Sequence, residues 1–78
     1  MKSIVKVEVL GASDSLFVTL GDHVLKSYDT FGKELSKAIR TAERYASNYI
    51  NKYFKGIGII ETYKHNKLVT RIEYSEGH

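Results

Sequence analysis

Thr30 to Lys55 reads TFGKELSKAIRTAERYASNYINKYFK, and this stretch decides the fold. Phe31, Leu35, Ala38, Ile39, Ala42, Tyr45, Ala46, Tyr49, Ile50 and Tyr53 recur with the spacing of one helix face, about 100° per residue. The opposite side reads Lys33, Lys37, Arg40, Arg44, Asn48, Asn51 and Lys55, a ridge with five cations and no acid. Asp29 and Thr30 offer capping side chains at the start, and Gly32 weakens the first turn. Gly56 suits the left-handed residue that ends a helix, and Lys52 and Lys55 favour its negative dipole end.

Outward from this helix the chain reads as strand. Val5, Val7 and Val9 alternate with Lys6 and Glu8 across residues 3–10, the period of a half-buried antiparallel strand. Gly11 to Ser15 is a polar turn cluster, and Leu16, Val18 and Leu20 share one face of a second strand. Gly21-Asp22 closes a tight hairpin into a third strand, His23 to Tyr28, or else Gly21 is a bulge in one longer strand. Beyond the helix, Ile57 to Tyr63 and Leu68 to Tyr74 pair around a turn at His65-Asn66. A two-residue turn sets Tyr63 opposite Leu68, Ile59 opposite Ile72 and Ile57 opposite Tyr74. The core face is then Ile57, Ile59, Tyr63, Leu68, Ile72 and Tyr74, interrupted by Glu61 and Thr70. The outer face holds Ile60, Thr62, Lys64, Val69, Arg71 and Glu73. Ser75 to His78 reads as a frayed tail.

The expected fold is therefore α+β: a single antiparallel sheet of four or five strands, β-β-(β)-α-β-β, with one long amphipathic helix packed across one face. At 78 residues this is one domain, 1–78, with a small core. The hydrophobic share of 42% and charged share of 27% are those of a folded domain, not of a disordered chain. Without cysteine, no disulfide or thiolate metal site adds to that core. No apolar run reaches membrane-spanning length, and the N-terminus carries charge inside its apolar run, unlike a signal peptide. The expected location is cytoplasmic.

The net charge of +3 is mild, but its placement is uneven. Lys26 to Lys55 holds seven cations against three acids, so the basic character belongs to the helix. Little else points to chemistry. His23, His65 and His78 fall at turns or the terminus, none with a second ligand at metal spacing. Asp14, Asp22 and Asp29 read as turn and cap residues. Glu61 falls on the expected core face, where it pairs with Thr70 or reaches the sheet edge. Gly56 and Gly58 open a strand, not a phosphate-binding helix. No catalytic residue, metal or cofactor is expected, and the chain reads as no enzyme.

Two surfaces remain for binding. The first is the cationic ridge, with Lys33, Lys37, Arg40, Arg44 and Lys55 in a line about 30 Å long. It suits a phosphate backbone or an acidic protein groove, against the ordinary reading of a solvated helix face. The second is the open sheet face, where Ile60, Val69 and Arg71 are candidates for a partner contact or a homodimer; an edge strand is a further route to self-pairing. Tyr45, Tyr49 and Tyr53 read as core residues with outward hydroxyls, in preference to a stack for nucleic-acid bases. The open face, with Ile60, Val69, Phe17 or Thr19, lacks the paired aromatics of a sheet that reads RNA.

A few antiparallel strands and one helix are similar to the architecture of many small phage and mobile-element proteins, anti-CRISPR inhibitors among them. The likeness spans the whole chain and carries no motif. Single-domain size, absent chemistry and two presentable surfaces together suggest a small non-enzymatic protein that docks on a larger protein or nucleoprotein complex, and an inhibitor of that kind is one form of it. DNA mimicry is disfavoured, because mimics are acidic. The alternative is direct nucleic-acid binding through the helix ridge.

Overall fold

In the computed structural model, which describes residues 5–74, Lys6–Gly11 forms the central strand β1. Ser15–Leu20 (β2) and His23–Asp29 (β3) follow as an antiparallel meander. The helix α1, Leu35–Tyr53, then crosses the sheet, and Gly58–Lys64 (β4) and Lys67–Tyr74 (β5) close it as a hairpin. The strand order is β3-β2-β1-β4-β5. The sequence-read start of the first strand at Ser3 and the tail Ser75 to His78 lie outside the described residues.

The expected α+β fold with one helix over a sheet is present, with five strands, but the sheet is mixed. β4 lies parallel to β1, with Val7 beside Ile60 and Val9 beside Thr62. The helix causes this: it carries the chain back over the sheet, so the next strand starts from the same end as β1.

One turn reads as expected and one carries an addition. Gly21-Asp22 is the hairpin turn, with Gly21 at φ +60, the sign a type II′ turn needs. A bulge is present as well, at a different residue. Val18 pairs with Lys26 and Thr19 with Val24, so Leu25 is the extra residue.

The helix is shorter than its periodicity. Residues 30–33 form a turn closed by Lys33 N–H on the Thr30 carbonyl (3.0 Å), with Gly32 at φ +73. Asp29 Oδ1 accepts from the Phe31 N–H at 3.0 Å, capping this turn and not the helix. Phe31 is 78% exposed and does not belong to the apolar stripe. At the other end Gly56 N–H reaches the Ile50 carbonyl at 3.1 Å, and both Lys55 and Gly56 take positive φ.

The core is Val7, Val9, Leu16, Val18 and Ile60 from the sheet and Ala42, Ala46 and Ile50 from the helix. Each large apolar side chain buried there contributes about 1.5–3 kcal/mol. The two small alanines lie fully buried at the centre of the contact.

The second hairpin corrects the sequence reading of faces. Tyr63 does pair with Leu68, but a bulge follows, with Val69 as the extra residue. Ile59 therefore pairs with Glu73, Ile60 with Ile72, and Gly58 with Tyr74. The faces of β4 are set by β1, which places Ile60 beside the buried Val7 and Thr62 beside the buried Val9. The bulge instead turns Leu68 away from the face of Thr70, Ile72 and Tyr74. Ile60 and Thr62, expected outside, are fully buried beneath the helix. Ile59, Glu61 and Tyr63, expected in the core, share the other face. Gly58 fits the helix side because a Cβ there would lie 2.8 Å from Val5 Cγ1 and 3.0 Å from Ile50 Cδ1.

Candidate docking surface on the open sheet face

The helix covers one face of the sheet; among the described residues nothing covers the other. Strand pairing lines up the side chains of this open face in rows. Phe17 pairs with Leu10, Leu10 with Tyr63, and Tyr63 with Leu68, so four strands contribute one apolar row. Leu10 on the central strand and Phe17 beside it are each 36% exposed, where such residues ordinarily meet a covering layer, and Leu68 on the edge strand β5 is 52% exposed.

The next row is charged. Glu8 and Glu61 lie side by side on β1 and β4, and Arg71 lies opposite Glu61 on β5. Two adjacent carboxylates repel, and Lys6 relieves this by standing 3.4 Å from Glu61 and 4.0 Å from Glu8. Arg71 adds contacts of 3.4 Å to Glu61 and 3.1 Å to Glu73. Tyr63 links the two rows by donating its hydroxyl to Glu61 Oε1 at 3.0 Å. That hydrogen bond, ahead of the Lys6 and Arg71 charges, holds the Glu61 carboxyl below the usual carboxylate range. The same bond raises the Tyr63 phenol, because it favours the protonated donor. Glu61, expected within the core, is thus the centre of a surface network.

The open-face candidates named from sequence divide three ways. Arg71 lies in the charged row, Val69 is the half-exposed bulge residue, and Ile60 lies on the opposite, helix-covered face. The ridge candidates also divide. Lys37, Arg40 and Arg44 are exposed on the helix, whereas Lys33 lies in the preceding turn and Lys55 beyond the last turn. Lys37 pairs with Glu34 at 3.3 Å; Arg40 and Arg44 form no salt bridge among the described residues.

Sequence reasoning missed the apolar row of Phe17, Leu10, Tyr63 and Leu68. Its signal was present: Leu10 and Phe17 are the large apolar residues that break the alternation of their strands. Sequence reasoning also missed Glu43, which lies on the helix flank facing β4 and β5. It accepts hydrogen bonds from the hydroxyls of Thr62 and Thr70 and ties the helix to β4 and β5. No three His, Cys, Asp or Glu side chains come together as metal ligands among the described residues. No helix among them is long and apolar enough to cross a membrane. No family model, no curated protein and no solved structure matches this chain.

Proposed function

We propose that this chain is a non-enzymatic binding protein that docks on a larger protein or nucleoprotein complex through its open sheet face. The observation that carries the reading is the apolar row across β2, β1, β4 and β5, backed by a row of charges of both signs. Such a face is about 20 Å wide and about 20 Å along the strands, about 400 Å² on this side, the size of a weak or transient protein contact. Three carboxylates (Glu8, Glu61, Glu73) against two cations (Lys6, Arg71) leave no excess of positive charge for a phosphate backbone, which favours a protein as the occupant. An inhibitor of the anti-CRISPR kind is one form of this role, and a second copy of the chain is the competing occupant.

The test is affinity capture from source-cell lysate with the wild type, Leu10→Asp and Leu68→Asp, alongside light scattering of each. The reading expects one partner held by the wild type and lost with both variants, which remain folded. Identical capture by all three overturns it, and a wild-type dimer that dissociates on Leu10→Asp assigns the face to a second copy instead. A second reading, nucleic-acid contact along the outer ridge, is supported by Arg40 and Arg44, exposed and unpaired by acids. It expects a low-salt mobility shift that disappears on charge reversal at Lys37, Arg40 and Arg44.

A further inference from the structure

A different flank of the helix combines aromatic rings with lysines. Tyr45 marks where it runs: its hydroxyl donates to the Leu25 carbonyl of β3 at 3.4 Å, so this flank overlooks the edge strand. One helical turn further on, Tyr49 and Tyr53 pack at 4.6 Å between centroids, their planes tilted by 46°. Tyr53 remains 58% exposed, and Lys52 Nζ stands 5.3 Å from its ring. With Asn48 these side chains line a shallow cavity of about 200 Å³ that contains no acid.

A second cavity of about 350 Å³ lies at the other end of the same flank, against Tyr28 of β3. Lys33 and Lys37 line it, and Lys26 Nζ lies 6.0 Å above the Tyr28 ring. Its two acids are Glu34, paired with Lys37, and Asp29, which accepts the Phe31 N–H and keeps its charge. Rings and lysines therefore cluster at both ends of a flank about 28 Å long.

We infer that this flank is a binding site for a single-stranded polynucleotide, with bases stacked on Tyr49 and Tyr53 and phosphates held by Lys52 and Lys33. Unpaired bases are needed because only they offer a ring face to a tyrosine; a duplex presents its backbone and groove edges. Lys52, whose cavity is lined by no acid, complements phosphate, and the length accommodates on the order of four nucleotides, the small end of such sites. The outer ridge carries cations but no ring, so it supplies charge contact only. The site is independent of the open sheet face, which lies on the far side of the sheet.

The test is fluorescence anisotropy of short labelled oligo-dT and oligo-U strands, and of the matching duplexes, at low and moderate salt. The wild type is expected to bind single strands more tightly than duplex, and the tighter of the two single strands identifies DNA or RNA as the ligand. Tyr49→Ala with Tyr53→Ala is expected to weaken binding on the order of ten-fold or more, while Tyr53→Phe, which keeps the ring, binds as the wild type does. Lys52→Gln is expected to flatten the salt dependence. Tyr53 is exposed enough for Tyr53→Ala alone to stay folded, which a melting curve checks. The inference is overturned by an absence of single-strand binding at low salt. Unchanged affinity for Tyr53→Ala, or equal affinity for the duplex, overturns it too. So does loss of binding with Arg40→Glu and Arg44→Glu while the tyrosine variants bind normally.

Discussion

Glu43 shows how a single side chain can bind helix and sheet together. Thr62 is fully buried, and its hydroxyl has the Glu43 carboxylate as partner. Glu43→Ala strands that hydroxyl, so it is expected to cost about 1–3 kcal/mol, read from chemical denaturation. A loss below about 0.3 kcal/mol contradicts the bond. At Gly58 the constraint is steric. Gly58→Ala puts a methyl against Val5 and Ile50, and about 1–3 kcal/mol is expected to be lost, whereas a neutral outcome shows the crossing is looser than described. Glu61 gives a pH signature. Its carboxyl titrates lower in the fold than in the unfolded chain, so the ionised form favours folding. That contribution is present above the unfolded-chain value and is lost as pH falls through the folded one. Tyr63→Phe removes the leading cause, so the stability gap between wild type and variant is expected to narrow in acid; a gap independent of pH contradicts the assignment.

At the scale of elements, the sequence made the helix legible and left its partner strands half-read. The apolar period located the buried stripe correctly at Ala42, Ala46 and Ile50 because these residues meet the sheet at every turn. Periodicity did not fix the start, since Phe31 has the right spacing but Gly32 takes a positive φ and breaks the helix before it. Leu35→Asp is accordingly expected to lower the melting midpoint by several degrees, and Phe31→Asp to leave it nearly unchanged. Equal effects would restore Phe31 to the helix. The β4–β5 hairpin misled for a different reason. Both faces of β4 carry large apolar residues, Ile59 and Tyr63 on one and Ile60 on the other, so alternation alone did not say which is covered. Two facts decided it, the place of Ile60 beside the buried Val7 of β1 and the close fit of Gly58 beneath Ile50. Neither is local to the strand pattern. The parallel pairing of β4 with β1 was equally out of reach, because it depends on where the crossing helix delivers the chain.

At the scale of the molecule, one helix cannot cover both faces of five strands. The covered face and the helix above it use all eight core residues, and the open face is left with Phe17, Leu10, Tyr63 and Leu68 in line. A small domain that keeps such a row exposed forgoes burial it could use, a cost that the proposed docking role would account for. The decisive measurement is methyl NMR of the isolated chain with a soluble paramagnetic probe. The account predicts strong attenuation of the Leu10 and Leu68 methyls and sharp, protected signals from Val9, Val18 and Ile60. Protection of Leu10 and Leu68 equal to that of Ile60 in a monomer would contradict it, because the face proposed for docking would then already be covered.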